Sequence, residues 1–273
     1  GSFRIPFYYQ EPEKVKSLVD GLRERGWLEK GYFYLGSLID EPEPGKYPFV
    51  KELCTQLKEI APDARHVVTV TPHKDLYGYV DTWCPLFSAF SSKVAHERQA
   101  QGEHIWWYGC LWPIYPFPSY HIDDQLMGAR LLPWLQHFYG IEGSLYWSTT
   151  IFQKWDGEKY VERDPWTDPL AFPGANGDGF LLYPGNKVGI DGPVASIRLE
   201  NIRDGLEDYE YLWLAEQRMC ELASKWEIAD SFNVQFALGP YYDRLFESVS
   251  FYEEQPAVLL ETRADLATEI ATI

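Results

Sequence analysis

With 273 residues, 45% of them hydrophobic, the chain carries enough apolar side chains to bury a sizeable core, which argues against a disordered chain. Its formal net charge of −17, from 24 Lys and Arg against 41 Asp and Glu, argues against a nucleic-acid partner and against an anionic membrane surface, both of which need a basic patch. No window approaches the roughly 20 apolar residues of a transmembrane helix, so no membrane insertion is expected.

In chain order, Gly1-Ser2 reads as an expression scar, and no signal peptide follows it. The sequence itself leaves the compartment open, secretion and the periplasm included. "FRIPFYY" from Phe3 is a short strand. Val15, Leu18, Val19 and Leu22 follow at helical spacing up to Gly26, and "GYFYLGSLI" from Gly31 reads as a buried strand. Val50, Leu53, Leu57 and Ile60 share one helical face that ends at Pro62. "RHVVTVTP", "GYVDTWCP", "HIWWYGCLWP" and "GSLYWSTTIF" are further strands. A weak helix precedes Gly102, and a helix expected to kink or break at Pro133 precedes Gly140.

Continuous apolar strands alternating with amphipathic helices indicate an α/β fold with a parallel sheet covered by helices. The pattern suits a (β/α)8 TIM-type barrel, although about six barrel strands are countable rather than eight, so the first ones are expected to be missing. After Trp155 the expectation is a long loop, a short strand at "GFLLYPG" and then a strong helix. Ser196 caps that helix, and Ile202, Leu206, Tyr209 and Trp213 form its buried stripe. A last helix starts at Pro256 with Leu259, Leu266 and Ile270 inward. We expect a single barrel domain over residues 1–273.

Asp40 and Glu41 stand out, because the apolar run ahead of them ends abruptly and Pro42 follows. Successive strand residues point to opposite faces, so both carboxylates can share a cleft only where the strand ends and the backbone turns. Pro42 cannot continue a ladder and biases Glu41 toward an extended backbone. Two close carboxylates repel when both are ionised, which favours one keeping the proton that a general acid needs. An ordinary acidic turn is the alternative. A usual glycosidase pair flanks the sugar from different elements, about 5–5.5 Å or roughly 6.5–9.5 Å apart. Neighbours at one strand end fit better a reaction in which the substrate's own 2-acetamido oxygen attacks.

The aromatic share is 16%, with 11 Trp and 19 Tyr, which suits sugar-stacking clefts, a large aromatic core, or both. Of Trp83, Trp106, Trp107, Tyr108, Trp112, Tyr146 and Trp147, the favoured ligand contacts are Trp83, Tyr108 and Trp147, near strand ends; Trp112 and His73 sit at comparable positions. Trp106 and Tyr108 face one way on their strand and Trp107 the other, so one class must pack against helices. Asp123 and Asp124 either cap the next helix or bind hydroxyls. The six histidines show no HExxH or HxH, so no metal is expected. No GxGxxG opens a helix and no GxSxG anchors a triad, so no cofactor is expected either. Cys54, Cys84, Cys110 and Cys220 lack CxxC spacing; three lie in apolar or amphipathic runs and read as buried thiols.

"GWLEKGYFYLGSLIDEPEP", "DTWCP", "IWWYGCLWP", "GSLYWSTT" and above all "GDGFLLYPG…GPVASIRLENIRDGLEDYEYLWLA" resemble the catalytic barrel of glycoside hydrolase family 123 and the wider domain-of-unknown-function family containing it. The resemblance runs from about Trp27 to the last helix. It implies a (β/α)8-type barrel that follows an N-terminal β-sandwich, with sandwich and first strands absent here. A second chain or a preceding segment would then complete the barrel. It also implies an exo-acting, retaining β-N-acetylgalactosaminidase working through an oxazoline or oxazolinium intermediate on a carbohydrate substrate. By matching motif, Asp40 would orient the acetamido group and Glu41 would be general acid, then base. Trp83, Tyr108 and Trp147 would wall the sugar site. Arg198, Glu200, Arg203, Asp204 and Glu207 would pair among themselves as structural support. The alternatives are a glycan-binding or structural barrel without turnover, and a glycosidase of another sugar with an enzyme nucleophile.

Overall fold

The computed structural model of the chain describes residues 2–172 and 174–273. It divides into two units, Gly1–Tyr108 with Ile141–Leu145, and Gly109–Gly140 with Tyr146–Ile273.

In the first unit, six strands form one sheet in chain order: β1 (Phe3–Ile5), β2 (Gly31–Tyr34), β3 (Arg65–Val68), β4 (Thr82–Trp83), β5 (His104–Gly109) and β6 (Gly143–Tyr146). The pairings from β1 through β5 are parallel. Parallel neighbours need crossovers, and helices α1 (Pro12–Glu24), α2 (Tyr47–Ile60) and α3 (Ser92–Gln99) lie in three of them. The mixed α/β reading therefore holds. One strand is shorter than its apolar run predicts. β2 stops at Tyr34, and Leu35–Ser37 form a 3-10 turn before Asp40.

Register sorts the side chains. Tyr34, Val67, Thr82 and His104 share a row, as do Val68, Trp83 and Ile105. Alternation therefore puts Tyr34, Trp106 and Tyr108 on one face and Trp83 and Trp107 on the other. Trp107 is packed edge-on by Phe87 and Phe90, at centroid distances of 5.2 and 5.5 Å. Trp106 stacks edge-on with Tyr32 at 4.9 Å.

On the same face as Trp83 lies His66, buried in β3, with acceptors at both ring nitrogens. Nδ1 is 2.9 Å from the Asp81 carboxylate and Nε2 is 3.0 Å from the Tyr79 carbonyl. Burial alone would lower its pKa, but the Asp81 hydrogen bond and charge, with Cys54, raise it from 6.5 to about 10. The imidazolium thus gains its partner only on folding. Its stabilising contribution is complete below pH 6.5 and is lost as pH rises toward about 10. Urea midpoints should fall across that window, and Asp81→Asn should flatten the slope; an unchanged slope in the variant would remove His66 as its cause.

The second unit begins with α4 (Leu126–Tyr139), which continues through Pro133 instead of breaking there. Two hairpins follow in the region expected to be loop: β7 (Gln153–Trp155) with β8 (Tyr160–Glu162), and β9 (Leu170–Phe172) with β10 (Ala175–Asn176). β11 (Leu182–Pro184) pairs antiparallel with β12 (Pro193–Ala195), which leads into α5 (Ile197–Lys225). The unit closes with α6 (Val234–Tyr242), the pair β13 (Phe246–Ser248) and β14 (Phe251–Tyr252), and α7 (Pro256–Thr272). Ser196 caps α5 as expected, its hydroxyl accepting the Leu199 N–H at 3.2 Å.

The buried line of α5 is not the apolar stripe read from the sequence. Leu206 and Trp213 are exposed, and Gly205, Asp208, Leu212 and Ala215 are buried. The rotation by one residue follows charge. Asp208 is fully buried and accepts from Arg130 Nε at 2.9 Å, Arg263 Nε at 2.6 Å and Trp134 Nε1 at 3.2 Å. This cluster ties α4, α5 and α7 together. Arg203 does pair with Glu200, Asp204 and Glu207. Arg198 does not; its guanidinium is buried against backbone carbonyls. Of the cysteines, Cys54 and Cys84 are buried, Cys110 is half-buried and Cys220 is exposed; all are free thiols.

Candidate active site

Asp40 and Glu41 sit in the turn after β2, in the first unit. Glu41 has φ of 42°, in the left-handed region that costs a side-chain-bearing residue strain. The extended backbone expected ahead of Pro42 is therefore not adopted. What holds the turn is Thr69, buried just beyond β3. Its hydroxyl accepts the Glu41 backbone N–H at 3.2 Å and donates to Asp40 Oδ1 at 2.7 Å. One side chain fixes the backbone of one carboxylate and the head group of the other.

Tyr34, the last residue of β2, donates its phenol to the same Asp40 oxygen at 3.0 Å. Burial, and then the Asp40 charge, push the Tyr34 phenol above its ordinary value, so it stays a donor at neutral pH. Two hydroxyls on Oδ1 leave Oδ2 as the Asp40 oxygen open to a ligand donor. Glu41 is fixed likewise, with Tyr108 OH donating to Oε1 at 2.5 Å and leaving Oε2 open. The Cys84 thiol is driven upward by burial and by the Asp40 charge, so it stays protonated.

Glu41, Tyr47, Thr69, His73, Leu86 and Tyr108 line a cavity of about 330 Å³. His73 packs its ring on Tyr47 at 5.1 Å and accepts the Asp75 N–H at Nδ1, 3.3 Å away. Of the residues singled out in the sequence, Asp40, Glu41, Tyr108 and His73 thus come together. Trp83 does not. It is fully buried on the opposite sheet face, and its indole N–H donates to Glu103 at 2.6 Å. A two-residue strand gave no alternation from which that side could be read.

Trp112, Asp123 and Trp147 lie in the second unit. Trp112 is exposed, and its carbonyl accepts the Cys110 N–H at 2.9 Å. Asp123 accepts from Asn176 Nδ2 at 2.7 Å, and Asp124 accepts from Ser119. Neither caps α4, whose cap position is Gln125. Trp147 is 39% exposed, and its indole N–H donates to Asp178. Among the described residues no cluster of three or more His, Cys, Asp or Glu could hold a metal ion, and no helix is long and apolar enough to cross a membrane.

Tyr34 and Thr69 escaped the sequence reading because each sits in a run that reads only as buried strand. The available signal was period two: Tyr34 and Tyr32 alternate with Phe33, so one of the two sets had to face away from the helices.

The arrangement offers an open carboxylate oxygen for a ligand N–H beside a second carboxyl oriented by a phenol, which is equipment for general acid–base work on a neutral polar substrate. The family model described as "Glycoside hydrolase 123, catalytic domain" matches residues 12–215. The chain is similar in fold to a family 123 glycoside hydrolase from Clostridium perfringens, studied for glycolipid glycan hydrolysis, with a TM-score of 0.58 and 17% identity. That match covers 96% of this chain and 44% of the other, so the chain spans less than half the length of that protein. No curated protein sequence matches it.

Proposed function

The chain belongs to the glycoside hydrolase 123 catalytic-domain family, and from that premise we propose that it is a retaining, substrate-assisted glycosidase that releases terminal β-linked N-acetylgalactosamine from glycans. The observation that carries the reading is the paired fixation of Asp40 Oδ1 by Tyr34 and Thr69 and of Glu41 Oε1 by Tyr108. Adjacent residues held this way have their open oxygens set by the protein and not by each other.

In the proposed first step, Asp40 Oδ2 accepts the N–H of the substrate's 2-acetamido group and turns its carbonyl oxygen toward the anomeric carbon. That oxygen bonds to C1 as the C1–O glycosidic bond breaks, and Glu41 gives its proton to the departing oxygen. In the second step Glu41 takes a proton from water, whose oxygen attacks C1 and reopens the oxazolinium ring, the N–H staying on nitrogen throughout. Two inversions at C1 leave the configuration unchanged. We read the sheet in chain order as part of a (β/α)8-type barrel, whose repeating unit is a parallel strand followed by a helix. The work on the Clostridium perfringens enzyme makes glycolipid glycans the first natural substrates to try.

The test is the anomer formed first, together with inhibition by a thiazoline analogue. Proton NMR of aryl β-N-acetylgalactosaminide turnover should show the β sugar before mutarotation. The galacto-configured thiazoline should bind at least about 10²-fold more tightly than the free sugar, as a mimic of the cyclised intermediate. An α product appearing first would exclude retention. Covalent trapping by a 2-fluoro glycoside, which has no acetamide, would replace substrate assistance with an enzyme nucleophile.

A further inference from the structure

The second unit holds a cavity of about 610 Å³ that the catalytic reading leaves unused. Its wall comes from two stretches far apart in sequence: the proline-rich loop ahead of α4, and the β13–β14 hairpin with the residues on either side of it. Each contributes an exposed ring; Tyr115 is 59% exposed and Phe251 is 65% exposed. Leu245 and Phe246 are buried and also line the cavity, so its apolar part runs into the core. The hairpin is closed at its open end, where the Glu253 N–H donates to the Leu245 carbonyl at 2.8 Å.

The polar groups of the wall are already oriented. Glu254 Oε2 accepts from Gln125 Nε2 at 2.8 Å, and Glu253 Oε1 accepts the Gln255 N–H at 2.8 Å. Both donors are neutral, and they leave Glu254 Oε1 and Glu253 Oε2 as acceptors. Arg244 donates from Nη1 to Asp265 at 2.6 Å, so its charge is matched from outside the cavity. Burial, and then Glu254, Asp124 and Tyr115, push the Tyr252 phenol up to about 12, so it is a donor at neutral pH. This mixture selects among ligand classes. An anion would be repelled by Glu253 and Glu254. An ammonium ion only donates, so it would leave the Tyr252 hydroxyl and the guanidinium facing a donor. An apolar molecule would strip water from both carboxylates and return no hydrogen bond. A sugar has hydroxyls that donate and accept, set around a C–H face that aromatic rings can cover.

We propose that this cavity is a non-catalytic binding site for a neutral mono- or disaccharide, in which Tyr115 and Phe251 cover C–H faces while Glu253, Glu254 and Tyr252 bind hydroxyls. A cavity of this size, part apolar and with a few fixed polar groups, is the usual form of a small-molecule site. It includes neither Asp40 nor Glu41, so it stands or falls independently of the hydrolase reading.

Lactose is the probe, because it is neutral and lacks the acetamido group that Asp40 is proposed to bind. Titrated into the isotope-labelled full chain, it should shift the backbone amides of Tyr115 and of residues 243–255 in NMR spectra. Tyr115→Ala and Phe251→Ala should each weaken its binding roughly three- to tenfold. Both rings are exposed, so neither change should disturb folding, and the remaining amide signals check this on the same sample. Tetramethylammonium should need a higher concentration than lactose to move the same amides. Lactose shifts that spare residues 243–255, equal affinity in the parent and both ring variants, or tighter binding of tetramethylammonium than of lactose would each overturn the proposal. A chain that binds lactose in this way and hydrolyses no aryl β-N-acetylgalactosaminide keeps the cavity site and loses the hydrolase; turnover without lactose shifts at 243–255 does the reverse.

Discussion

Glu41→Gln is expected to slow hydrolysis of an aryl β-N-acetylgalactosaminide with a poor leaving group by roughly 10²–10⁴-fold, the usual worth of a general acid. The substitution is mild elsewhere. The amide oxygen still accepts from Tyr108, and the backbone N–H still donates to Thr69. Only the transferable proton is gone, so a leaving group that departs without protonation should recover much of the first step. Asp40→Asn should behave differently. Its one amide oxygen is claimed by the Tyr34 and Thr69 hydroxyls. Its NH2 would then face the acetamido N–H, donor against donor. Turnover should fall by about 10²-fold or more whatever the leaving group, comparable to losing a transition-state hydrogen-bond partner. Steady-state rates over a series of aryl leaving groups separate the two patterns. Full activity in the double variant would falsify both roles.

Asp208→Ala should be the most destabilising single change in the second unit. It deletes the common acceptor of Arg130, Arg263 and Trp134 and leaves two guanidinium groups over an apolar helix junction. Breaking a buried pair by removing one partner costs 3–5 kcal/mol; both arginines are partly exposed here, so about 3 kcal/mol is the reasonable figure. Asp208→Asn keeps one acceptor and should lose less. Urea midpoints followed by circular dichroism decide the matter, and a midpoint within error of the parent chain would mean that water replaces the carboxylate at no cost.

The sequence was legible where periodicity governs. Helices α1 and α2 and the strands of the sheet follow from apolar spacing, because in the first unit burial is chiefly apolar. Legibility failed where a polar contact decides orientation. The α5 stripe is rotated because Asp208 is drawn inward by two arginines, which no hydropathy pattern contains. Arg198 looked like one more member of a charged helix face, and it reads three carbonyls from another part of the chain. Hairpins β7–β8 and β9–β10 were hidden in a stretch that looked like pure loop, since strands of two or three residues have no measurable period. The carboxylates were visible as a pair, but Tyr34 and Thr69, which hold Asp40 Oδ1 and the Glu41 backbone N–H, were not. Their importance lies in distances across the sheet.

The left-handed backbone at Glu41 has a bearing on descent. A residue with a side chain pays about 1–2 kcal/mol to sit there, and glycine pays almost nothing. Backbone conformation alone therefore favours glycine over glutamate at this position; the proposed general-acid role favours glutamate. Asp40 carries no such penalty in its backbone. A lineage that kept this fold but ceased to hydrolyse glycans would drift at position 41 first, toward glycine or asparagine, while position 40 lagged behind. On the role proposed above, the strain at Glu41 is borne for the sake of the proton it transfers.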